Sequence, residues 1–200
     1  MTASLLFSLS TFMFISAITP GPNNMLMTTS GANFGFRRSL ILFLGMVIGM
    51  QTILLLSAFG VAGLLLIYPA VHTGLKVLGS LYLLWLAWKT VTAQYKQLDA
   101  QPLGTPLKGY QGWLLQFLNP KAWMMGLGSV SSYSLAGDLY IHSIWVISVV
   151  MILSNIATGL VWLNLGVMIG RLLKGRTAWF TFNIVMGLLT AACVPLIWIN

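Results

Sequence analysis

Long apolar stretches alternate with short polar segments along the whole chain. A bilayer core about 30 Å thick is crossed by roughly 20 apolar helical residues, and six stretches come close to or exceed that length. The pattern therefore predicts an all-α membrane protein with six transmembrane helices, at Leu5–Ser30, Ser39–Leu66, Val71–Trp88, Tyr110–Ser132, Ile141–Ile169 and Thr177–Ile199.

The six predicted spans fall into two halves of three. Residues 96–109 separate them and are rich in proline and glycine, so we predict an irregular cytoplasmic linker there. Because three is odd, residues 1–95 and residues 110–200 must cross the membrane in opposite directions, as in an inverted repeat. The first span of each half contains proline, so we predict two inverted three-helix repeats, each with its first helix broken at proline.

Composition supports a surface that faces lipid. Hydrophobic residues make up 58% of the 200 residues, the mean hydropathy is +0.91, and only 6% are charged. Soluble domains are about 25% charged, so this chain has too few polar side chains to cover a surface in water. A soluble enzyme and a disordered chain are excluded, and a single cysteine, Cys193, excludes an internal disulfide framework.

The net charge of +8 indicates topology rather than a nucleic-acid partner, because no basic patch is interleaved with aromatic residues. Lys76 falls on one side of the predicted membrane and Lys121 within a span, whereas the other basic residues share the opposite side. Basic loops stay in the cytoplasm, so we predict that both termini are periplasmic. No basic residue precedes Arg37, so the first span is not expected to be a cleavable signal. The residues assigned to the cytoplasmic side are Arg37, Arg38, Lys89, Lys96, Lys108, Arg171, Lys174 and Arg176.

The first span is interrupted by the sequence Thr-Pro-Gly-Pro-Asn-Asn at positions 19–24. Pro20 and Pro22 each remove a backbone donor and restrict the preceding residue, so with Gly21 they should end the helix. Freed backbone groups persist in hydrocarbon only against protein or a watery cavity. A new helix beginning at Pro22 would present amide N–H groups to an anion, and Asn23 and Asn24 add polar side chains. We interpret this break as part of a binding site rather than as a structural kink.

A second break is predicted at Asn119-Pro120-Lys121, about ten residues into the fourth span. A lysine at the bilayer centre costs about 2.5–3.5 kcal/mol on insertion scales, so Lys121 should face the bundle interior or water. The alternative is that its ammonium snorkels to the cytoplasmic surface, but roughly 16 Å of helix separates it from Tyr110. Gln116 extends the polar face of this span.

Other polar residues within the spans are weaker candidates for substrate contacts. Gln51 and Asn155 lie in long apolar helices, where an interhelical hydrogen bond is the simpler interpretation. No metal-ligand spacing, catalytic triad, Walker loop or dinucleotide fingerprint is present in an aqueous context. We therefore expect no enzymatic activity and no cofactor.

Taken together, the motifs resemble those of the LysE/RhtB family of amino-acid exporters. The likeness covers essentially the whole chain, and it rests on the segments at residues 19–23, 35–37, 75–89 and 117–122. It implies six spans in the bacterial inner membrane, efflux of amino acids or their derivatives, and energy from the proton gradient. It also implies a substrate site at the two breaks, at Pro20, Gly21, Pro22, Asn23, Asn119, Pro120 and Lys121.

The substrate is expected to be a zwitterion with an uncharged side chain, since neither acidic residue, Asp99 or Asp138, lies within a span to meet a cationic one. Its carboxylate would meet Lys121 or the helix start at Asn23, and its ammonium would meet carbonyls freed at the breaks. Lys121 is the candidate for proton coupling. The alternative function is a non-transporting membrane subunit, and paired glycines in two spans leave open a homo-oligomer.

Overall fold

The structure, a computed structural model, describes residues 1–60, 69–92, 105–173 and 175–199. Within these ranges the backbone is helical apart from short turns. Residues 61–66 of the second predicted span, residues 96–104 of the predicted linker, and Lys174 lie outside the described residues. The α-helices are α1 (Ala3–Ile18), α2 (Pro22–Ala58), α3 (Pro69–Val91), α4 (Gly109–Phe117), α5 (Pro120–Tyr133), α6 (Tyr140–Leu172), α7 (Arg176–Ala191) and α8 (Cys193–Ile199), and a 3-10 turn spans Gly137–Leu139.

Both predicted proline breaks are present in the backbone. α1 ends at Ile18 and α2 begins at Pro22, with extended backbone at Thr19 and Gly21. In the second half, α4 ends at Phe117 and α5 begins at Pro120. Each helix restarts on a proline because the first helical position needs no amide donor.

α2 is bent sharply at Gly35, where φ is 78° and ψ is 175°. This left-handed region favours glycine, since a Cβ would crowd the backbone there. The bend divides α2 into residues 22–34 and residues 36–58, which are called α2a and α2b below. The second predicted span therefore begins earlier than Ser39, and Arg37 and Arg38 lie in the first turn of α2b rather than in a loop.

The sixth predicted span is not continuous. It was expected as one helix over Thr177–Ile199, but it is interrupted at Ala192 between α7 and α8. The cause is Pro195, which has no N–H to donate to the carbonyl four residues earlier.

In the part of the chain that the structure describes, three helical segments are long and apolar enough to cross a membrane alone, namely Pro22–Ala58, Gly137–Leu172 and Arg176–Pro195. α1 is apolar but has only 16 residues, or about 24 Å of helix. The proline breaks account for the first and fourth predicted spans, which they divide into shorter helices; the third, α3, has 23 residues and no such break.

Glycines bring the helices of the two halves into close contact. A Cβ on Gly45 would meet the backbone of Gly109 at the start of α4, and one on Gly49 would meet Trp113. On α6, Gly166 and Gly170 lie in the same way against the backbone of α2a. The paired glycines that left a homo-oligomer open are thus used within the chain.

These contacts also place the basic helix ends together. The start of α4 lies against Ile41, shortly after the Gly35 bend, and the end of α6 lies against Ala32, shortly before it. Lys108 and Arg171 flank those helix ends. The described basic residues next to these contacts therefore lie at one end of the bundle.

Two apolar clusters fill the interior. The first joins α1, α2b, α5 and α6 through residues such as Met13, Ile53 and Ile147. The second joins α2, α3, α4 and α6 through residues such as Leu42, Leu83 and Leu163. The two proline breaks lie between these clusters.

Candidate functional site

The two proline breaks meet through three side-chain amides. Asn23 Nδ2 donates to Gln116 Oε1 at 2.9 Å, and Gln116 Nε2 donates back to Asn23 Oδ1 at 3.2 Å. Asn119 Nδ2 also donates to Asn23 Oδ1, at 3.2 Å. Gln116 and Asn119 are buried, so these amides satisfy one another where neither water nor lipid could.

Asn24 has a different task, which is to close the end of α1. Its Nδ2 donates to the carbonyls of Ala17 and Thr19, both at 2.9 Å. These carbonyls have no partner further along α1, because the helix stops. On the other break, Asn119 Oδ1 accepts from the backbone N–H of Lys121 at 3.1 Å and caps α5.

Each broken helix is also closed by an indole. Trp162 Nε1 on α6 donates to the carbonyl of Ile18, the last residue of α1, at 3.1 Å. Trp123 Nε1 on α5 donates to the carbonyl of Phe117, the last residue of α4, at 2.9 Å. A tryptophan inside a predicted span is the sequence signal for such a contact, because its N–H needs an acceptor.

Lys121 reaches from the second break to the first. Its Nζ donates to the carbonyl of Thr19 at 2.6 Å. The aliphatic part of its side chain lies over Gly21, where an added Cβ would be 3.4 Å from the lysine Cδ. The ammonium is therefore bonded within the protein, to the backbone of the first break.

A cavity of ≈ 40 Å³ lies where the breaks meet. It has room for about three water molecules. Residues of the first apolar cluster, among them Met50 and Met125, line one part of it, and residues of the second, among them Met27 and Met46, line another. Seven of the predicted site residues also line it, namely Gly21, Pro22, Asn23, Asn24, Asn119, Lys121 and Asn155.

The remaining predicted residues do not line the cavity. Pro20 and Pro120 shape the backbone of the breaks, and Gln116 supports Asn23 from behind. Gln51 forms an interhelical hydrogen bond instead, because its Oε1 accepts from Ser148 on α6 at 2.6 Å. Its place between helices matches the simpler interpretation given above.

Sequence reasoning missed the apolar part of the cavity wall. Four methionines line it together with Phe43, whose ring lies so close to Gly159 that a Cβ there would overlap it. Neither the methionines nor Phe43 differ in sequence from ordinary core residues, so no local signal distinguished them. Among the described residues no group of three His, Cys, Asp or Glu side chains could hold a metal ion.

Comparisons with known proteins agree on one family. The family model described as LysE type translocator matches residues 14–193. The chain is 34% identical over 197 residues to the cysteine/O-acetylserine efflux protein of Escherichia coli strain K12, covering 96% of this chain and 97% of that protein. Proteins of the same description from Shigella sonnei strain Ss046 and Salmonella typhimurium strain LT2 match with the same identity and coverage. No solved structure gives a significant match.

These matches confirm the resemblance drawn from the motifs. They identify a translocator rather than an enzyme. Together with the apolar helices, they also support a multi-pass protein of the inner membrane.

Proposed function

Because the chain belongs to the LysE type translocator family, we propose that it exports small zwitterionic amino acids with uncharged side chains. The observation that carries the proposal is the hydrogen bond from Lys121, which lines the cavity, to the Thr19 carbonyl of the other proline break. A charged group of one break and a backbone acceptor of the other thus form a pair that a zwitterion can replace.

Lys121 is the carboxylate-binding group in this proposal. Its ammonium has three N–H donors, and one of them is used on Thr19. Among the described residues that line the cavity, only Lys121 is ionisable. Asn23 and Asn24 line the same cavity. Their backbone N–H groups lie in the first turn of α2 and have no carbonyl of their own helix to bond, so they add to the attraction for an anion.

The substrate ammonium takes the place of the lysine ammonium. The carbonyls of Ala17, Ile18 and Thr19 already accept from Asn24, Trp162 and Lys121. An incoming carboxylate draws the ammonium of Lys121 away from Thr19, and the substrate ammonium then bonds to the released carbonyl. The zwitterion is therefore inserted into an existing hydrogen bond, and its ammonium meets a carbonyl at the break.

A cationic side chain has no counter-ion in this cavity. The chain contains two acidic residues in all, and no carboxylate is among the described residues that line the cavity. A second positive charge would face Lys121 without compensation, at a cost that the low dielectric of the membrane makes large. The relatives are named for cysteine and O-acetylserine, whose side chains are uncharged, and this supports the same class here.

The fold suggests how the site reaches both sides of the membrane. We propose that residues 1–95 and 110–200 are inverted repeats of three spans each, with both termini in the periplasm and the proline breaks at similar depth. Separation of one apolar cluster would open the cavity to the cytoplasm, and separation of the other would open it to the periplasm. Lys121 is our candidate for proton coupling. A non-transporting subunit, the alternative function, would give Lys121 no role.

Replacement of Lys121 tests the proposal. Cells loaded with dipeptides should export a neutral amino acid such as leucine, and Lys121→Met should reduce that export at least tenfold because the carboxylate loses its cation. Lys89→Met is the matched control, because Lys89 lies over the ring of Trp85 at the end of α3. This variant should transport as wild type does. The measurement is the rate of appearance of amino acid outside the cells, with and without an uncoupler.

Three results would contradict parts of the proposal. Export of lysine as fast as leucine would refute the substrate class. Unchanged export by Lys121→Met would refute the site. Absence of export of any amino acid by the wild type would favour the subunit alternative.

A further inference from the structure

Asn155 on α6 has a buried amide nitrogen without a hydrogen-bond partner among the described residues. Polar side chains in membrane helices normally find a partner on a neighbouring helix or on their own backbone. Asn164, on the same helix, does so by donating to the carbonyl of Leu160 at 2.8 Å. Asn155 differs from Asn164 in that it lines the cavity.

Two other amide atoms in the described part of the chain are also buried without a hydrogen-bond partner, but their surroundings differ from those of Asn155. Gln51 Nε2 belongs to an amide whose oxygen already accepts from Ser148, and Asn33 Oδ1 belongs to an amide that donates to Asn183. Neither residue lines the cavity. A donor kept unpaired at a cavity indicates a partner that arrives from outside the protein.

The wall around Asn155 is apolar and adaptable. Met27, Met46, Met50 and Met125 line the same cavity, and methionine side chains are unbranched, polarizable and able to fit irregular shapes. Such a wall accommodates small side chains of different shapes. The hydroxyl of Thr158, which also lines the cavity, already donates to the carbonyl of Ser154 at 2.8 Å, whereas the amide of Asn155 keeps a donor that can distinguish one uncharged side chain from another.

We propose that Asn155 is a specificity-determining residue that donates a hydrogen bond to an acceptor in the side chain of the substrate. The inference rests on the proposed function, in which Lys121 and Thr19 hold the carboxylate and the ammonium at the breaks. Asn155 comes from α6, which carries neither break, so it meets the remaining part of the substrate. The favoured class is neutral amino acids whose small side chain contains an ether, ester or carbonyl oxygen.

A hydrocarbon side chain of the same shape leaves Asn155 unpaired. Binding then leaves a buried donor that water can no longer reach, which costs free energy. Pockets that form hydrogen bonds reject isosteres in this way. O-methylserine and norvaline are a suitable pair of probes, because they differ by one ether oxygen in place of a methylene group.

The experiment compares export of the two probes by the full-length protein in proteoliposomes. Wild type should transport O-methylserine about two- to tenfold faster than norvaline, as one hydrogen bond allows. Asn155→Leu should bring the ratio close to one, chiefly by slowing O-methylserine. Asn164→Leu, the same substitution on the same helix at an exposed position, should keep the wild-type ratio.

The outcomes separate this inference from the proposed function. Transport of both probes by wild type at equal rates would overturn the role of Asn155 alone, whatever the variant does. An equal loss of both probes in Asn155→Leu would also overturn it, because the amide would then serve the carboxylate or the fold. Transport of neither probe by wild type would refute the proposed function and the inference with it.

Discussion

Asn24 and Asn155 are the same type of residue in the same membrane, and their surroundings give them opposite roles. Asn24 uses its amide nitrogen on two carbonyls at the end of α1, whereas the amide nitrogen of Asn155 has no partner in the described structure. Both line the cavity. Lining the cavity is therefore not enough to propose a substrate contact. The proposal depends on whether the side chain already has a hydrogen-bond partner within the protein.

The assignment of Asn24 to structure predicts a loss of stability. In Asn24→Ala the buried carbonyl of Ala17 loses its side-chain donor, and that of Thr19 keeps only Lys121, so we expect the protein to be destabilised by about 1–3 kcal/mol. Asn164→Ala is the control, because Asn164 is exposed and bonds only within its own helix among the described residues. Thermal unfolding of the purified variants in detergent measures the difference. Equal unfolding temperatures would show that Asn24 does not hold the break.

At the scale of elements, the bend at Gly35 reverses the chain between α2a and α2b. A Cβ at Gly35 would meet nothing within 4 Å, so the constraint is conformational rather than steric crowding by neighbours. Gly35→Ala should cost about 1–2 kcal/mol, since φ is 78° there.

Gly74 provides a control of opposite sign for this prediction. It also has open space at its Cβ, but it lies inside α3 with no positive φ, so Gly74→Ala should be neutral or stabilising by up to about 1 kcal/mol. The measurement is again thermal unfolding in detergent. A Gly35→Ala variant as stable as Gly74→Ala would mean that the bend does not depend on glycine.

The elements that could be predicted from sequence were those with strong local constraints. Proline has no amide hydrogen and a fixed φ wherever it occurs, so both breaks were located to within a few residues. Gly35 was missed because an isolated glycine in an apolar segment is compatible with helix, bend or close packing. The interruption at Ala192 was missed although Pro195 signalled it, because the hydropathy of the segment is continuous.

The candidate site divides in the same way. The proximity of the residues at the two breaks could be predicted, because two helix breaks at similar depth in one bundle are expected to lie close together. The methionine wall, the indole caps and the Lys121–Thr19 hydrogen bond depend on which helices become neighbours. Those contacts join residues far apart in sequence, for which a single sequence holds no local signal.

At the scale of the whole molecule, the cavity is bounded by both apolar clusters. The cluster that contains Met50 and Met125 and the cluster that contains Met27 and Met46 both contribute to its wall. A cavity of ≈ 40 Å³ is too small for an amino acid, which has at least five heavy atoms. In the proposed mechanism the two clusters separate in turn, and which of them is the cytoplasmic gate depends on the orientation of the protein in the membrane.

The distribution of charge predicts that orientation. Cys193 is the one cysteine in the chain, so Cys193→Ser gives a background in which single cysteines report on topology. Ser4→Cys and Asp138→Cys, both at exposed positions, should react with a membrane-impermeant thiol reagent added to spheroplasts. Lys108→Cys and Arg176→Cys, also at exposed positions, should react only after the membrane is opened, because basic helix ends remain in the cytoplasm. The reverse pattern would invert the protein and exchange the cytoplasmic and periplasmic gates, whereas labelling of Ser4→Cys and Asp138→Cys from opposite sides would rule out two inverted halves of three spans.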